Sequence, residues 1–248
     1  MVLSLDIVIP VLNEAETLEN QISKLARFIE NHDELTFKYQ ITIADNGSSD
    51  STLDLASEIK ETPTSVRVLS VAKPGVGLAL KEAWRTSTCD YVGYMDLDFS
   101  TDLSHLIEME RRFREGYKFV FGSRLLPESI VTGRGFKREI TTRVFNALIR
   151  RIFHSSISDG MCGFKFFKRE LIEDLFRVGA DCDGWFYCTE ITVAAQLTES
   201  RIFEMPVTWR DDAESKVRIP SLTIEYLGDI LKFKKRIKAS ANGRQVHA

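Results

Sequence analysis

The stretch from Asp90 to Ser100 constrains the fold of this chain more than any other. Its first part, Tyr91–Met95, is apolar throughout, which is typical of a strand buried inside a sheet. Two carboxylates follow directly, Asp96 and Asp98, one residue apart. Side chains at this spacing point the same way from an extended chain, so both acids can converge on one cation. The stretch therefore predicts a buried strand that ends in a candidate site for Mg²⁺ or Mn²⁺.

The pattern Asp-x-Asp is short, and taken alone it is more often a solvated loop than a metal site. The preceding sequence favours the metal site, because apolar runs alternate there with helical patterns. This alternation indicates an α/β domain, with a mostly parallel central sheet flanked by helices. The predicted strands are Leu5–Leu12, Tyr39–Ala44 and Val66–Val71; the predicted helices open at Glu14, cover Leu53–Ile59 and end at Arg85.

Polar residues follow each of the four predicted strands. In a parallel sheet the carboxyl ends of neighbouring strands meet at one edge, where ligands bind. One polar strand end is unremarkable, whereas four on the same edge predict a pocket. The residues concerned are Asn13 and Glu14, Asp45 and Asn46, Lys73, and the pair Asp96 and Asp98.

Composition narrows the function classes. The net charge of −3 over 248 residues gives no indication of a nucleic-acid partner. The four cysteines form no C-x-x-C pair, so we expect reduced thiols in a cytosolic protein. The first residues, Val2–Val11, predict a strand and not a signal peptide. No run of about 18 apolar residues occurs, so any membrane association is expected to be peripheral, on the cytoplasmic face.

Three motifs resemble those of family 2 glycosyltransferases in order and spacing, and the likeness spans residues 5–220. The resemblance implies a single, Rossmann-like glycosyltransferase-A domain that transfers a sugar from a nucleotide-diphosphate donor. Further segments resemble the branch that makes dolichyl- or polyprenyl-phosphate sugars. The three motifs are Val8–Glu14, Asp45–Thr52 and Asp96–Asp98, and the further segments are Gly122–Arg124, Asp159–Lys165 and Ser215–Val217.

The resemblance also implies roles for individual residues. It assigns the nucleotide base pocket to Pro10, Leu12 and Glu14, and a contact with base or ribose to Asp45. It assigns the metal and diphosphate to Asp96, Leu97 and Asp98. Positive charge for the donor and acceptor phosphates is expected from Arg124, Arg138, Arg210 and Lys216, with Lys73 in support.

Three positions depart from the family pattern. Val76 replaces the basic residue of a Gly-Lys-Gly turn, which is why Lys73 is included above. Ser100 stands where mannosyl-transferring relatives often have Gln, and the segment Asp159–Lys165 is closer to glucosyl relatives. We therefore weakly favour a UDP-sugar over GDP-mannose. Cys188 stands where many relatives carry an acid.

The change at Cys188 leaves two acceptor classes open. A sugar hydroxyl needs a general base, for which Glu190 is the candidate; a helix-start carboxylate explains that residue equally well. A lipid phosphate is already ionised at neutral pH and needs none. The leading hypothesis is an inverting hexose transfer to a polyprenyl phosphate. The alternatives are a family 2 enzyme acting on a glycan or small-molecule hydroxyl, and a non-catalytic nucleotide-sugar-binding protein.

The stretch 134–154 predicts a basic amphipathic helix suited to an anionic membrane surface. A core-facing helix with a solvated basic face is the competing interpretation. A second basic run, Lys232–Lys238, ends a predicted C-terminal helix over 221–238. Residues 239–248 are expected to be a disordered tail.

Overall fold

The computed structural model describes residues 2–59, 64–211 and 219–246, with the side chains of 226–242 in the last segment. The strands are β1 (Ser4–Val11), β2 (Lys38–Asp45), β3 (Ser65–Ser70), β4 (Tyr91–Met95), β5 (Phe119–Ser123), β6 (Ile130–Thr132), β7 (Phe164–Lys168), β8 (Ile202–Pro206) and β9 (Thr208–Arg210). The helices are α1 (Leu18–Glu30), α2 (Thr52–Glu58), α3 (Val76–Thr86), α4 (His105–Arg114), α5 (Phe136–Phe153), α6 (Ile172–Val178), α7 (Tyr187–Leu197) and α8 (Ile219–Val246).

Seven strands form the central sheet, in the order β3-β2-β1-β4-β7-β5-β8. The first four are parallel to one another, β7 runs antiparallel to both of its neighbours, and β8 is parallel to β5. The α/β class with a mostly parallel sheet is thereby confirmed. Strand β8 lies at the sheet edge, a position that suits Pro206 because proline cannot donate to a ladder.

Both faces of the sheet are covered by helices. Helices α1 and α4 pack on one face, through residues such as Ile22 and Met109, and α3, α5, α6, α7 and α8 pack on the other. Strand β7 contributes to both layers, because successive side chains alternate: Phe166 faces the first cluster and Phe167 the second. Phe164, Phe166 and Phe167 are fully buried. The carboxyl ends of β1, β2, β4 and β5 share the edge that carries the site.

Most predicted bounds are within one residue of the observed ones, but some elements differ by more. The first helix begins at Leu18, because residues 14–17 form a turn in which the Glu14 carbonyl accepts from Thr17 and Leu18. The extended segment from Ile202 to Trp209 is split at Val207 into two strands, β8 and β9. There the chain leaves β5 and pairs with β6 in a separate two-stranded sheet.

The C-terminal helix is longer than predicted. It begins at Ile219 and continues to Val246, so most of the segment expected to be a disordered tail is helical. Alanine at positions 239 and 241 favours helix, and the Ser240 hydroxyl donates to the carbonyl of Arg177 on α6. That contact attaches the end of α8 to the domain.

Candidate active site

The carboxylate pair that follows β4 consists of Asp96, which has a buried oxygen, and Asp98, which is exposed. The Oδ1 atom of Asp96 is buried and has no hydrogen-bond partner among the described residues. Burial, then the charge of Asp98, raise the pKa of Asp96 to about 7, against the opposing effects of Arg124 and Lys165. Asp98 is exposed, and it accepts from the backbone N–H and the hydroxyl of Ser100, both at 2.8 Å. The site thus holds a buried oxygen that lacks a donor.

These two acids fit a divalent cation that is completed by substrate. Within the described part of the chain, no three His, Cys, Asp or Glu side chains gather into a metal-binding group. Mg²⁺ is commonly held by only one or two carboxylates, with substrate phosphates and water as its remaining ligands. An unpaired buried oxygen costs about 1–3 kcal/mol, which a cation at Asp96 Oδ1 would offset.

Two buried cationic side chains lie beside Asp96. Arg124 forms a two-point ion pair with Asp159, from Nε at 2.7 Å and Nη2 at 3.0 Å. Burial raises the pKa of Asp159, but the charge and hydrogen bonds of Arg124 outweigh this effect and hold that pKa well below its usual range. Lys165, fully buried in β7, donates to the carbonyl of Cys162 at 2.8 Å, and burial lowers its pKa. These two cations oppose, but do not cancel, the effect of burial and of Asp98 that raises the pKa of Asp96.

The other predicted cations are distributed unevenly. Arg210 is exposed, and its backbone N–H donates to the carbonyl of Ser100 at 2.8 Å, which brings it next to the loop of Asp98. Arg138 forms an ion pair with Asp211. Lys73 is exposed beside the turn that opens α3. Lys216 lies outside the described residues, so its assignment stays a prediction.

The ends of β1 and β2 form the other half of the pocket. Leu12 is exposed, Pro10 and Glu14 are half-buried, and the chain turns at Asn13 with a φ of 55°. Asp45 is buried, and it accepts from the N–H groups of residues 47 and 48 and from the Ser70 hydroxyl at 3.0 Å. These bonds shape its own turn, so a contact of Asp45 with base or ribose stays a prediction.

Two of the predicted site residues have side chains that point away from the proposed donor and acceptor. The side chain of Leu97 packs in the core below the acid pair, because it points away from the face that Asp96 and Asp98 share. Glu190 is fully buried, and its Oε2 accepts from the N–H groups of Asp181 and Cys182, both at 2.8 Å. Its other oxygen pairs with Arg236 on α8. The carboxylate therefore holds a loop and two helices together instead of facing an acceptor.

Sequence reasoning missed several polar residues of the site. Asp159 and Lys165 lie in a segment that carried the family resemblance, but nothing in their spacing gave them a role. Trp209 gave no signal. Arg134 was grouped with the membrane-facing cations of the helix, yet its side chain is 5% exposed. Only the tertiary structure reveals that Arg124, Arg134 and Trp209 lie together.

Comparison with known proteins identifies the family to which the chain belongs. The sequence profile of glycosyl transferase family 2 matches residues 6–176, more than half of the chain. The chain belongs to glycosyl transferase family 2. It is therefore an enzyme of the glycosyltransferase class, and the glycosyltransferase-A fold expected from the motifs is confirmed. None of its helices in the described ranges is both long and apolar enough to cross a bilayer.

Two relatives within the family are close in sequence. Glycosyltransferase AglD of Haloferax volcanii is 34% identical over 213 residues, which cover 85% of this chain but 34% of that protein. The dolichyl-phosphate β-glucosyltransferase of Dictyostelium discoideum is 30% identical over 94% of this chain and 74% of its own length. The chain thus spans about a third of the first relative and about three quarters of the second.

Solved structures agree on the fold. Glucosyl-3-phosphoglycerate synthase from Mycobacterium tuberculosis, in complex with Mn²⁺, UDP and glucosyl-3-phosphoglycerate, superposes with a TM-score of 0.60 at 20% identity, over 97% of this chain and 79% of that one. Mannosyl-3-phosphoglycerate synthase from Rubrobacter xylanophilus gives 0.63 at 18% identity, over 96% and 75%. At these identities the likeness concerns the fold alone.

Proposed function

We propose that this family 2 enzyme is an inverting, metal-dependent glycosyltransferase that moves a hexose from a nucleotide-diphosphate sugar to a polyprenyl phosphate at a membrane surface. The observation that carries the proposal is the outer face of α5, an exposed apolar row made of Phe136, Ile140, Val144 and Leu148. This apolar face begins near Arg124 and Arg134, which follow the ends of β5 and β6 and both contact Trp209. It therefore links a lipid-binding surface to the catalytic edge of the sheet. The dolichyl-phosphate β-glucosyltransferase relative supports the acceptor class.

The donor would occupy the edge formed by β1, β2 and β4. Asp96 and Asp98 would hold Mg²⁺ or Mn²⁺, which, when bound, supplies positive charge to the departing diphosphate. Arg210, placed next to the Asp98 loop, and Lys73 would add charge on either side. We favour a UDP-sugar over GDP-mannose on the sequence of the segment Asp159–Lys165.

The acid–base groups favour a phosphate acceptor over a hydroxyl. Of the two side chains that sequence offers as a base, Glu190 is engaged in packing, as described above. Cys188 is buried, and burial raises the pKa of its thiol to about 11. A hydroxyl acceptor depends on a base that reaches its proton and has a pKa near neutrality. The pKa of Cys188 is too high, and Glu190, although burial raises its pKa to about 7, is fully buried and cannot reach an acceptor. A phosphate monoester is ionised at neutral pH and attacks without a base, so neither side chain is required.

The outer face of α5 consists of four apolar residues at four-residue intervals. Phe136 and Val144 are 78% and 63% exposed, and Ile140 and Leu148 belong to the same row. They lie opposite the buried side of the helix, which includes Asn146 and Ile149, so the row is not the face that packs on the core. A solvated basic face, the competing interpretation, does not account for this row.

Charge and neighbouring structure fit a bilayer beneath this face. Lys137 and Arg151 lie on the same side of α5 as this apolar row, where they can reach anionic headgroups. Helix α8 packs beside α5 through Phe145 and Tyr226, whose rings are 5.5 Å apart, and it exposes Leu227 and Leu231. We place the enzyme on the cytoplasmic face, in keeping with four free, buried cysteines.

A transfer assay tests the proposal. The protein is incubated with Mn²⁺, a polyprenyl phosphate and radiolabelled UDP-glucose or GDP-mannose, and the lipid is extracted with chloroform. We expect label in an extractable product that mild acid releases, with UDP-glucose as the better donor. Asp98→Ala and excess EDTA should each abolish it, because they remove the cation site. Transfer only to water-soluble glycans would contradict the proposal.

A further inference from the structure

Arg134 is a buried arginine whose donors are not all used. It lies between Gly133 and Gly135, directly before α5, and its side chain is 5% exposed. Its Nη2 donates to the hydroxyl of Thr142, and Nη1 is 3.4 Å from Glu139 Oε2 in an ion pair without hydrogen-bond geometry. Nε and Nη1 have no acceptor in the described ranges. A buried guanidinium with two unpaired donors carries a desolvation cost that an anion would remove.

Trp209 lies between this arginine and a second one. Its ring centroid is 5.4 Å from the guanidinium carbon of Arg134 and 5.4 Å from that of Arg124. The indole is buried, and its backbone pairs with Val131 in β6 and with Thr101. The negative face of an indole attracts cations, so this ring offsets part of the repulsion between the two guanidinium groups. Burial first, and then the charge of Arg124, lower the pKa of Arg134, while Glu139 and Asp159 oppose them.

The position of Arg134 indicates which anion it binds. The residue is two positions before Phe136, the first member of the outer face of α5. The N-terminus of this 18-residue helix begins at the same point, and helix N-termini favour anions. A lipid whose chain lies along the outer face would place its phosphate here. The donor diphosphate, in contrast, is expected at Asp96 and Asp98.

We propose that Arg134 and the N-terminus of α5 bind the phosphate monoester of the lipid acceptor, and that Trp209 is the positioning residue that holds Arg124 and Arg134 beside each other. The inference rests on the proposed function and specifies its acceptor site. Arg134 would donate a charge-assisted hydrogen bond from Nε or Nη1, the nitrogens that its contact with Thr142 leaves without an acceptor in the described ranges, to an oxygen of the phosphate.

Arg134→Met tests the inference, with Arg111→Met as its control, because Arg111 is an exposed arginine of α4 that, among the described residues, pairs with Glu108 and Glu115. Farnesyl phosphate serves as a soluble acceptor, so that membrane adhesion does not enter. We expect kcat/KM for this acceptor to fall by roughly 10- to 100-fold in Arg134→Met, in line with the loss of one or two charge-assisted hydrogen bonds. The KM for the donor should stay at the parental value, and Arg111→Met should behave as the parent.

Stability separates a binding role from a structural one. Replacing a buried, incompletely paired arginine with an apolar side chain of similar length should leave the melting temperature unchanged or raise it. A lower melting temperature for Arg134→Met with an unchanged acceptor KM would overturn the inference. Trp209→Phe should retain most acceptor use, and Trp209→Leu should raise the acceptor KM; equal kinetics for both would remove the role of the indole.

The acceptor arms of the assay distinguish failure of this inference from failure of the proposed function. If the parental enzyme transfers no sugar to farnesyl or polyprenyl phosphate, both fail. If the parent transfers and Arg134→Met does so with the parental acceptor KM, only the inference fails. Inorganic phosphate should inhibit competitively against farnesyl phosphate in the parent and about tenfold more weakly in the variant. Equal inhibition would show that free phosphate binds elsewhere and would count against the site.

Discussion

Gly163 packs against Asp96 so closely that a β-carbon at position 163 would lie 2.7 Å from Oδ1 of the carboxylate and closer still to Oδ2. The backbone N–H of Asp96 also donates to the Gly163 carbonyl at 3.3 Å. Real β-carbons essentially never approach another heavy atom within 3.0 Å, so only glycine leaves room for the carboxylate. This contact explains the glycine in the segment Asp159–Lys165 and ties β7 to the proposed metal site.

We therefore expect Gly163→Ala to displace the Asp96 carboxylate and to reduce turnover by about 10²-fold, since a shift of 1 Å at a catalytic group has that effect. Thermal shift with UDP should lose its dependence on Mn²⁺. Gly228→Ala is the control, because a β-carbon there meets nothing within 4 Å. Parental turnover in Gly163→Ala would refute the placement of Asp96.

Glu190→Gln should affect stability more than catalysis. Glutamine keeps an acceptor for the two loop N–H groups but loses the charge opposite Arg236, so we expect a loss of roughly 1–3 kcal/mol in the free energy of unfolding. Turnover should change less than tenfold. A defect of about 10²–10⁴-fold with unchanged donor binding would instead identify Glu190 as a general base and favour a hydroxyl acceptor.

The pH dependence of stability gives a second test of Glu190. Burial raises its pKa to about 7, above its ordinary value of 4.5. The folded state then binds more protons than the unfolded state between these values, so this contribution to stability is fully present below pH 4.5 and is lost as pH rises through about 7. Urea unfolding should show a smaller loss across that range in Glu190→Gln than in the parent; identical pH slopes would contradict the buried assignment.

The Arg124–Asp159 pair makes the opposite pH prediction. The pKa of Asp159 is held below its ordinary value of 3.8, so the stability it contributes is present above pH 3.8 and is lost as pH falls through its folded-state pKa. Asp159→Asn leaves the Arg124 charge buried without its partner, which typically costs about 3–5 kcal/mol. Urea unfolding of this variant should also show a weaker acid dependence below pH 4; a variant as stable as the parent at pH 7 would exclude the structural role.

The sequence predicted the elements that depend on local pattern. Tyr91–Met95 is found with the predicted bounds, because a continuous apolar run leaves a buried strand little alternative. The helix predicted at Glu14 begins four residues later, since the loop before it is fixed by a distant turn: Ser48 and Thr52 accept from the backbone of Asn13 and Glu14. No local pattern records such a contact.

Only part of the candidate site can be predicted from the sequence, for the same reason. Asp96 and Asp98 stand out by spacing, whereas the role of Glu190 depends on Arg236, which lies 46 residues further along the chain. Arg134 fits the periodicity of a basic helix, and its burial against Trp209 arises only when β9 pairs with β6. Lys165 lies among phenylalanines in a core strand, where sequence gives no reason to expect a cation.

The outer face of α5 can be tested without catalysis. Phe136→Ser with Val144→Ser should reduce binding to vesicles that contain an anionic phospholipid by at least about tenfold, since burial of each side chain in the interface is worth up to roughly 1.5–3 kcal/mol. Stability should not change, because both side chains are exposed. Val2→Ser, also at an exposed position, is the control. Equal vesicle binding by all variants would reject α5 as the contact.

The most direct test of the account compares a polyprenyl phosphate with the corresponding polyprenol, under identical conditions with labelled UDP-glucose and Mn²⁺. A phosphate acceptor supplies its own ionised nucleophile, whereas the alcohol requires a base that neither Cys188 nor Glu190 provides. We predict transfer to the phosphate alone, with a rate that rises through pH ~6 as its second proton is lost. Transfer to polyprenol, or to a glycan hydroxyl, at a rate equal to or above that for the phosphate would contradict the account.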